Sequence, residues 1–592
     1  MSLTHNQFRV LNALSTTPGL TQRELADNCN LGLATVNRAY KECTQNGLVE
    51  DGRLTPHGMA ALEPHKVDNA VVMAAGMSSR FAPISYEKPK GLLKVRGEVL
   101  IERQIEQLRD AGVSNIVIVL GYKKEQFFYL ERKYGVKLVI NRHYMDRNNN
   151  ESLYLVRELL GNTFICSSDD YFEENPFASH VWGAYYAAEW SEGPTDEWCM
   201  ATGSHDRITD VTIGGENAWY MIGHAYFDRA FSKRFVQVLE DEHERPETAG
   251  KLWEMLYVEH IDELSMAIRR YDPPTIHEFD SLDEVRDFDP LFLENVDSEV
   301  LDTISRELHC DKGEVCNIVV LKQGLTNLSF RFDVESGTYV YRHPGIGTEK
   351  LINRHAEAAA NRAAAEMGID QTFITEDEEK GWKLSRYVHN ARNLNPSAPE
   401  DVKRAMQAAR KFHDSAVAID ADFEFFEAGV GYEDVLKTHG PIDIADYAEM
   451  REKVARLEAC RKADGYGKVL SHNDYLSLNF LFDEDDNMSI IDWEYAGMSD
   501  PANDFATFTI CSEYDQAQGD AAIAAYLGRK PTFEERRHFW SCVVLGGWCW
   551  YVWALAKDAE GAGVGEWLYI YYSYCANYLD QVLGWYENGK EA

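Results

Sequence analysis

The sequence predicts a multidomain chain, with a mainly helical segment over 1–66, an α/β segment over 67–294 and an α+β segment over 295–592. Three observations predict this. A length of 592 residues exceeds what one hydrophobic core organises. Residues 71–75 form an apolar strand that runs into a loop of small residues, and 116–120 is a continuous apolar run of the kind a parallel sheet buries on both faces. Farther on, Asp474, Asn479 and Asp492 place an amide five residues after one carboxylate, with a second carboxylate at the end of an apolar run.

Composition narrows the class. A formal charge of -38 disfavours broad binding to nucleic acid or an anionic membrane, and asks only for a solvated acidic surface. Eleven cysteines, an odd number with no Cys-x-x-Cys pair, point to reduced thiols in a cytoplasm. The N-terminus lacks the apolar core of a signal peptide. The longest apolar stretch, 542–556, is too short to span a bilayer and reads as a helix of the C-terminal domain, so no membrane insertion is expected. There is no internal repeat and no low-complexity linker.

In the first segment, 6–14 has the pattern of an amphipathic helix, and Thr21 caps a second one with Glu24 closing a capping box. The turn at 28–32 leads to a third helix, and 48–54 reads as a short hairpin. This resembles a winged helix-turn-helix. The resemblance implies that Thr35, Asn37, Arg38 and Lys41 lie where a recognition helix meets bases or phosphates. Acidic and basic side chains nearly balance over 1–66, so the electrostatic footprint of a DNA binder is missing. DNA binding and a protein-docking or regulatory role both stand.

The second segment carries Met73-Ala74-Ala75-Gly76-Met77-Ser78-Ser79-Arg80-Phe81, then Lys88-Pro89-Lys90-Gly91. Such a loop exposes backbone amides to a nucleoside triphosphate while Arg80 and Lys90 offset its charge. The pattern resembles the signature of sugar-nucleotide-type nucleotidyltransferases, in detail the CTP:phosphocholine cytidylyltransferases of bacteria. The resemblance implies a doubly wound α/β fold with Ala74, Ala75 and Gly76 around the nucleotide and Gly121 closing a parallel strand. It further implies a magnesium (Mg2+) ligand at Asp169, with Asp170 as a turn cap. Asp280 reads equally as the second ligand or as the N-cap of the helix that follows. A polar loop at 149–154 lies near the nucleotide, with no side chain assigned to the base. In such a site the phosphate of phosphocholine attacks the α-phosphorus of CTP in line, and pyrophosphate leaves.

In the third segment, phosphoryl transfer from a nucleotide explains the constellation. Asp474 orients or deprotonates the acceptor hydroxyl, while Asn479 and Asp492 hold the metal that neutralises the phosphates. The surrounding residues, 491–498 and 501–506, resemble the choline kinase branch of the aminoglycoside-phosphotransferase-like kinases. The resemblance implies a bilobal, protein-kinase-like α+β fold. Upstream, 323–329 reads as a strand-loop-strand in which Gly324, Thr326 and Asn327 let backbone amides approach phosphates. The resemblance makes Arg342 the basic residue that pairs with the phosphates and Glu357 its acidic partner. Trp550 and Trp553 share one helix face, either as plain core or as a cage for a methylated ammonium. Tyr569 completes such a cage as a further wall and Glu513 as a counter-charge.

Together the two resemblances imply consecutive steps: ATP and choline give phosphocholine, then CTP gives CDP-choline for decoration of a surface glycan or lipid. Two other readings stand beside this one. The first runs the same reactions on ethanolamine or another amino alcohol; the second is a transcription regulator that senses these metabolites.

Overall fold

The N-terminal helices begin where the capping residues stand. Thr4 caps α1 (His5–Thr16) and Thr21 caps α2 (Gln22–Asn28). The Thr21 amide donates to Glu24 Oε2 at 2.7 Å, closing the expected capping box. After α3 (Leu33–Gln45), Asp51 and Gly52 take positive φ of 47° and 73°, and their turn joins β1 (Val49–Glu50) to β2 (Arg53–Leu54). Val10, Leu11, Leu25, Val36 and Cys43 meet beneath this wing as a small core. This is the winged helix-turn-helix, described in a computed structural model that covers residues 3–321, 327–345, 353–561 and 563–589.

The winged helix does not stand apart at Lys66. The chain runs directly into the α/β body, and the Val67 amide donates to the Ser179 carbonyl at 2.9 Å. Trp182 then stacks on His5 and His65, with centroids 5.2 and 4.8 Å away.

The α/β body is a seven-stranded sheet in the order β10-β8-β9-β6-β3-β4-β5. Its strands are β3 (Asn69–Ala74), β4 (Ile116–Leu120), β5 (Lys137–Ile140), β6 (Thr163–Ser167), β8 (Tyr185–Thr202), β9 (Ile208–Phe227) and β10 (Ala267–Arg270). β3 runs parallel to both β4 and β6, with Ala70 opposite Ile116 and Phe164. The central strands are apolar throughout because a separate core covers each face. Outside the sheet, β7 (Asp170–Phe172) pairs antiparallel with β11 (Ile276–Glu278).

The compact units divide between Gly313 and Glu314, beyond the boundary expected near Asn295. The intervening helix, Glu299–Leu308, stays with the first unit. Its N-cap Ser298 donates to the Glu87 carboxylate, which also accepts from the Val300 amide at 3.1 Å.

The second unit opens with a five-stranded antiparallel sheet in the order β12-β13-β14-β16-β15. These are β12 (Cys316–Val320), β13 (Asn327–Val334), β14 (Gly337–Pro344), β15 (Phe373–Glu376) and β16 (Lys383–Arg386). Helix Arg354–Glu366 follows β14, and the rest of the unit is a helical lobe with short strand pairs. Its centre is the 27-residue helix Phe533–Ala559. That helix is long and apolar enough to cross a membrane, yet 89% of its apolar window is buried inside the unit. Together these elements form the bilobal kinase-like fold.

Candidate active sites

At the C-terminal end of β3, Ala74, Ala75 and Gly76 line a cavity of about 200 Å³ together with Lys90, Ser152 and Asp169. Gly121 does not line it. A Cβ there would meet the Ala75 carbonyl at 2.6 Å and the Tyr144 side chain at 2.7 Å, so this glycine lets Tyr144, a wall residue, come close. The four charged residues expected from sequence form two ion pairs. Lys90 Nζ, itself buried, lies 2.7 Å from Oδ2 of the half-buried Asp169, and Arg80 Nη1 lies 2.9 Å from Asp280 Oδ2 at the rim. Of the two readings of Asp280, the cap is overturned: Ser281 caps the next helix by accepting from the Glu284 amide.

Two carboxylates complete this site. Glu278, two residues before Asp280, is buried, and desolvation together with Asp169 pushes its carboxyl up to about 7 against the pull of Lys90. Asp170 faces it across the β7–β11 ladder. The sequence reading of Asp170 as a turn cap fails because the residue lies in a strand, fully buried. Burial and Glu278 hold its carboxyl well above the usual range, and neither oxygen has a hydrogen-bond partner among the described residues. Glu278 ends its strand two residues before Asp280, and no local signal marked it, because only the pairing with Asp170 brings it to the site. An oxygen-only donor set with unsatisfied carboxylate oxygens suits a hard divalent cation, which would draw charge from a triphosphate while Lys90 and Arg80 steady it.

In the second unit, Asp504 holds the loop that runs from His472 to Asn479. Its carboxylate accepts from the His472 and Asn473 amides at 3.1 and 2.6 Å, and His413 Nε2 lies 2.9 Å from it. Asn473 and Asp492 adopt positive φ of 64° and 68°, a conformation unusual outside glycine and enriched at functional sites. Asn479 Nδ2 donates to Asp474 Oδ2 at 3.0 Å, so the loop presents Asp474 and Asn479 together. Burial, reinforced by Asp492, raises the Asp474 carboxyl to about 7. Arg342 ion-pairs with Glu357 at 2.5 Å and with Asp492 at 3.4 Å. The structure thus gathers Asp474, Asn479, Asp492, Arg342 and Glu357.

Asn327 opens β13 and donates to Glu494 at 3.1 Å; Gly324 and Thr326 lie outside the described residues. Glu494, which sequence reasoning left unassigned, is raised to about 8 by burial and by Asp492. The oxygens of Asn479 and Asp492 again suit a hard cation, which would neutralise nucleotide phosphates. Beside them, Arg342, Lys383, Ser385 and Asp492 line a cleft of about 790 Å³.

Aromatic side chains gather near Asp474. Trp550 meets Trp553 at 6.1 Å and 85°, and Tyr495 at 5.2 Å and 84°, both edge to face. Tyr432, Tyr495 and Tyr571 are buried, and the Asp474 charge acts on each of their hydroxyls. Tyr569 is 73% exposed and does not join them. Two helical steps separate it from Tyr571 by about 200°, so only one of the pair faces inward. Glu513 is also exposed, and its charge acts on Tyr574. In the winged helix, Asn37, Arg38 and Lys41 are exposed on α3, and Thr35 is half-buried.

The two sites define a nucleotidyltransferase joined to a phosphotransferase. The MobA-like NTP transferase domain matches residues 70–190, the phosphotransferase enzyme family 317–539, and the winged helix-turn-helix DNA-binding family 3–50. A choline-phosphate cytidylyltransferase of Streptococcus pneumoniae is 33% identical, covering 37% of this chain and 95% of the relative. A 2-aminoethylphosphonate cytidylyltransferase of Lancefieldella rimae is 35% identical, covering 37% of this chain and 92% of the relative. The crystal structure of choline kinase LicA from Streptococcus pneumoniae aligns at 25% identity, covering 48% of this chain and 97% of that one, with a TM-score of 0.42. The chain belongs to the family of the bacterial cytidylyltransferases and joins that enzyme to a winged helix-turn-helix before it and a kinase domain after it. It is an enzyme with nucleotidyltransferase and kinase activities.

Proposed function

We propose that the C-terminal unit phosphorylates choline with ATP, and that the central domain transfers CMP from CTP to the phosphocholine, releasing pyrophosphate and giving CDP-choline. The observation that carries this reading is the match to a choline-phosphate cytidylyltransferase over 95% of its length, in a chain that also holds a kinase. A phosphonate already has its phosphorus and needs no kinase, so the second domain argues for a phosphomonoester. The buried tyrosines and Trp550 beside Asp474 suit a methylated ammonium, which gains attraction from aromatic faces without hydrogen-bond donors.

In this reading Asp474 takes the proton of the choline hydroxyl, while Asn479 and Asp492 hold Mg2+. Lys90 and Arg80 steady the triphosphate of CTP, and Asp169 with Asp280 holds the second Mg2+. Both reactions run in the cytoplasm, consistent with eleven cysteines and no Cys-x-x-Cys pair, and supply phosphocholine to a surface glycan or lipid. The winged helix binds DNA through Asn37, Arg38 and Lys41.

A second reading, the same reactions on ethanolamine, is favoured by the relative that acts on 2-aminoethylphosphonate, a primary amine. Phosphorus NMR of the full chain with ATP, CTP, magnesium and either amine tests both. CDP-choline formed faster than CDP-ethanolamine supports the first reading, and the reverse order supports the second. No phosphomonoester from either amine rejects both and leaves a metabolite-sensing regulator.

A further inference from the structure

The inner face of the kinase sheet carries one row of side chains across four strands. Ser329 pairs with Arg342, Arg342 with Lys383, and Lys383 with Glu376. Residues directly opposite on neighbouring strands project to the same side, so the row faces the nucleotide cleft that Ser329, Arg342 and Lys383 line.

The two cations of this row differ in what they touch. Arg342 is committed to carboxylates, with Glu357 at 2.5 Å and Asp492 at 3.4 Å. Glu357 is further bound by Arg354 at 2.8 Å, and Glu376 accepts from Asn361 at 2.8 Å. Lys383 is only 8% exposed, yet its ammonium makes no ion pair or hydrogen bond among the described residues. A largely buried lysine whose ammonium opens to the cleft, with no partner among the described residues, is well placed to meet an anion there.

We propose that Lys383 is the cation that grips the phosphates of the nucleotide in the kinase cleft, with Arg342 acting mainly to hold Glu357 and Asp492 in place. This rests on the reading of the C-terminal unit as an ATP-dependent kinase. The phosphate oxygens supply the charge-assisted contacts that Lys383 lacks among the described residues. The competing role is a counter-charge to Glu357 and Glu376, on both of which its field acts.

Titration of the full chain with adenosine and with ADP, in metal-free buffer, separates the two. The unaltered chain binds ADP more tightly than adenosine. In Lys383→Met that preference shrinks by about tenfold or more while adenosine affinity holds, and Lys383→Arg recovers most of it. An unchanged preference in Lys383→Met, or an equal fall for both ligands, overturns the proposal. Lys383→Gln is read in the same way if the methionine variant does not fold. If the unaltered chain binds no ADP and transfers no phosphate from ATP, the kinase reading fails and this inference fails with it. Normal phosphotransfer with an unchanged preference in the variants rejects the inference alone.

Discussion

Lys90 Nζ sits 2.7 Å from Asp169 Oδ2, with the lysine side chain 7% exposed and the aspartate 21%. The pair joins the loop after β3 to the end of β6, the two walls between which a triphosphate would lie. A buried cation aimed at developing phosphate charge contributes mostly in the transition state. Lys90→Ala is therefore expected to lower cytidylyl transfer about 100-fold or more while phosphotransfer continues. In a coupled assay with ATP, CTP and choline, phosphorus NMR should show phosphocholine accumulating.

Asp474 lies on the opposite task. Asp474→Asn keeps the shape of the loop and removes the carboxylate proposed to take the proton. Phosphotransfer should fall by about 100-fold or more, whereas cytidylyl transfer to added phosphocholine should stay within about twofold of the unaltered chain. Loss of both activities would show that the substitution acts through the fold.

Trp550 and Tyr569 differ in burial and so should differ in effect. Removing a desolvated cation–π partner costs about 2 kcal/mol, which raises the KM for choline about 20–30-fold in Trp550→Leu with little change for ATP. Tyr569→Ala, at a position 73% exposed, should leave both constants within about twofold. A large choline effect from Tyr569→Ala would move the acceptor pocket.

His538 is sandwiched between two carboxylates, with Nδ1 3.0 Å from Asp464 and Nε2 2.9 Å from Asp500. Burial pulls its pKa down, but the hydrogen bonds to Asp464 and Asp500 outweigh this and raise it above the usual histidine value. A raised folded value means the stabilisation is complete below the unfolded value of about 6.5 and is lost as pH rises through the folded one. In urea unfolding of the full chain, the transition that ATP protects should have a lower midpoint at pH 8 than at pH 6. His538→Gln should abolish that difference and destabilise at pH 6 by about 3 kcal/mol.

Arg38 and Lys41 face solvent on α3. If they meet phosphates, Arg38→Ala or Lys41→Ala should weaken DNA binding across sequences and reduce the slope of log affinity against log salt by about 1 each. Fluorescence anisotropy at several salt concentrations measures both quantities.

Local chemistry was the legible part of this protein. The Thr21–Glu24 box lies within one helical turn, and the continuous apolar runs at β3 and β4 record burial on both faces. The loop from Asp474 to Asn479 carries its carboxylate and its amide five residues apart, so their hydrogen bond needs no distant partner. Spacing alone was enough in these cases because covalent connection limits how far apart the groups can lie.

The errors came where distant segments meet. Asp170 looked like a turn residue until β11 arrived beside it, bringing Glu278 into register from more than a hundred positions along the chain. Tyr569 and Tyr571 are equivalent in sequence until the phase of their helix chooses which one enters the core. The compact units divide after Gly313 rather than near Asn295, and Glu87 reaches Ser298 and Val300 within the first unit.

By itself, the sequence determined the order of the three domains and the two phosphate-handling chemistries, and it marked candidate residues for them on local loops. Only the tertiary structure decided which carboxylates share a site, which aromatic rings gather near Asp474, and which cation in the kinase cleft lacks a partner among the described residues. The reason is physical. Hydrogen-bonded turns and periodic burial act over a few residues, whereas burial of a charge and its partners depend on strand register and helix packing that unite remote parts of the chain.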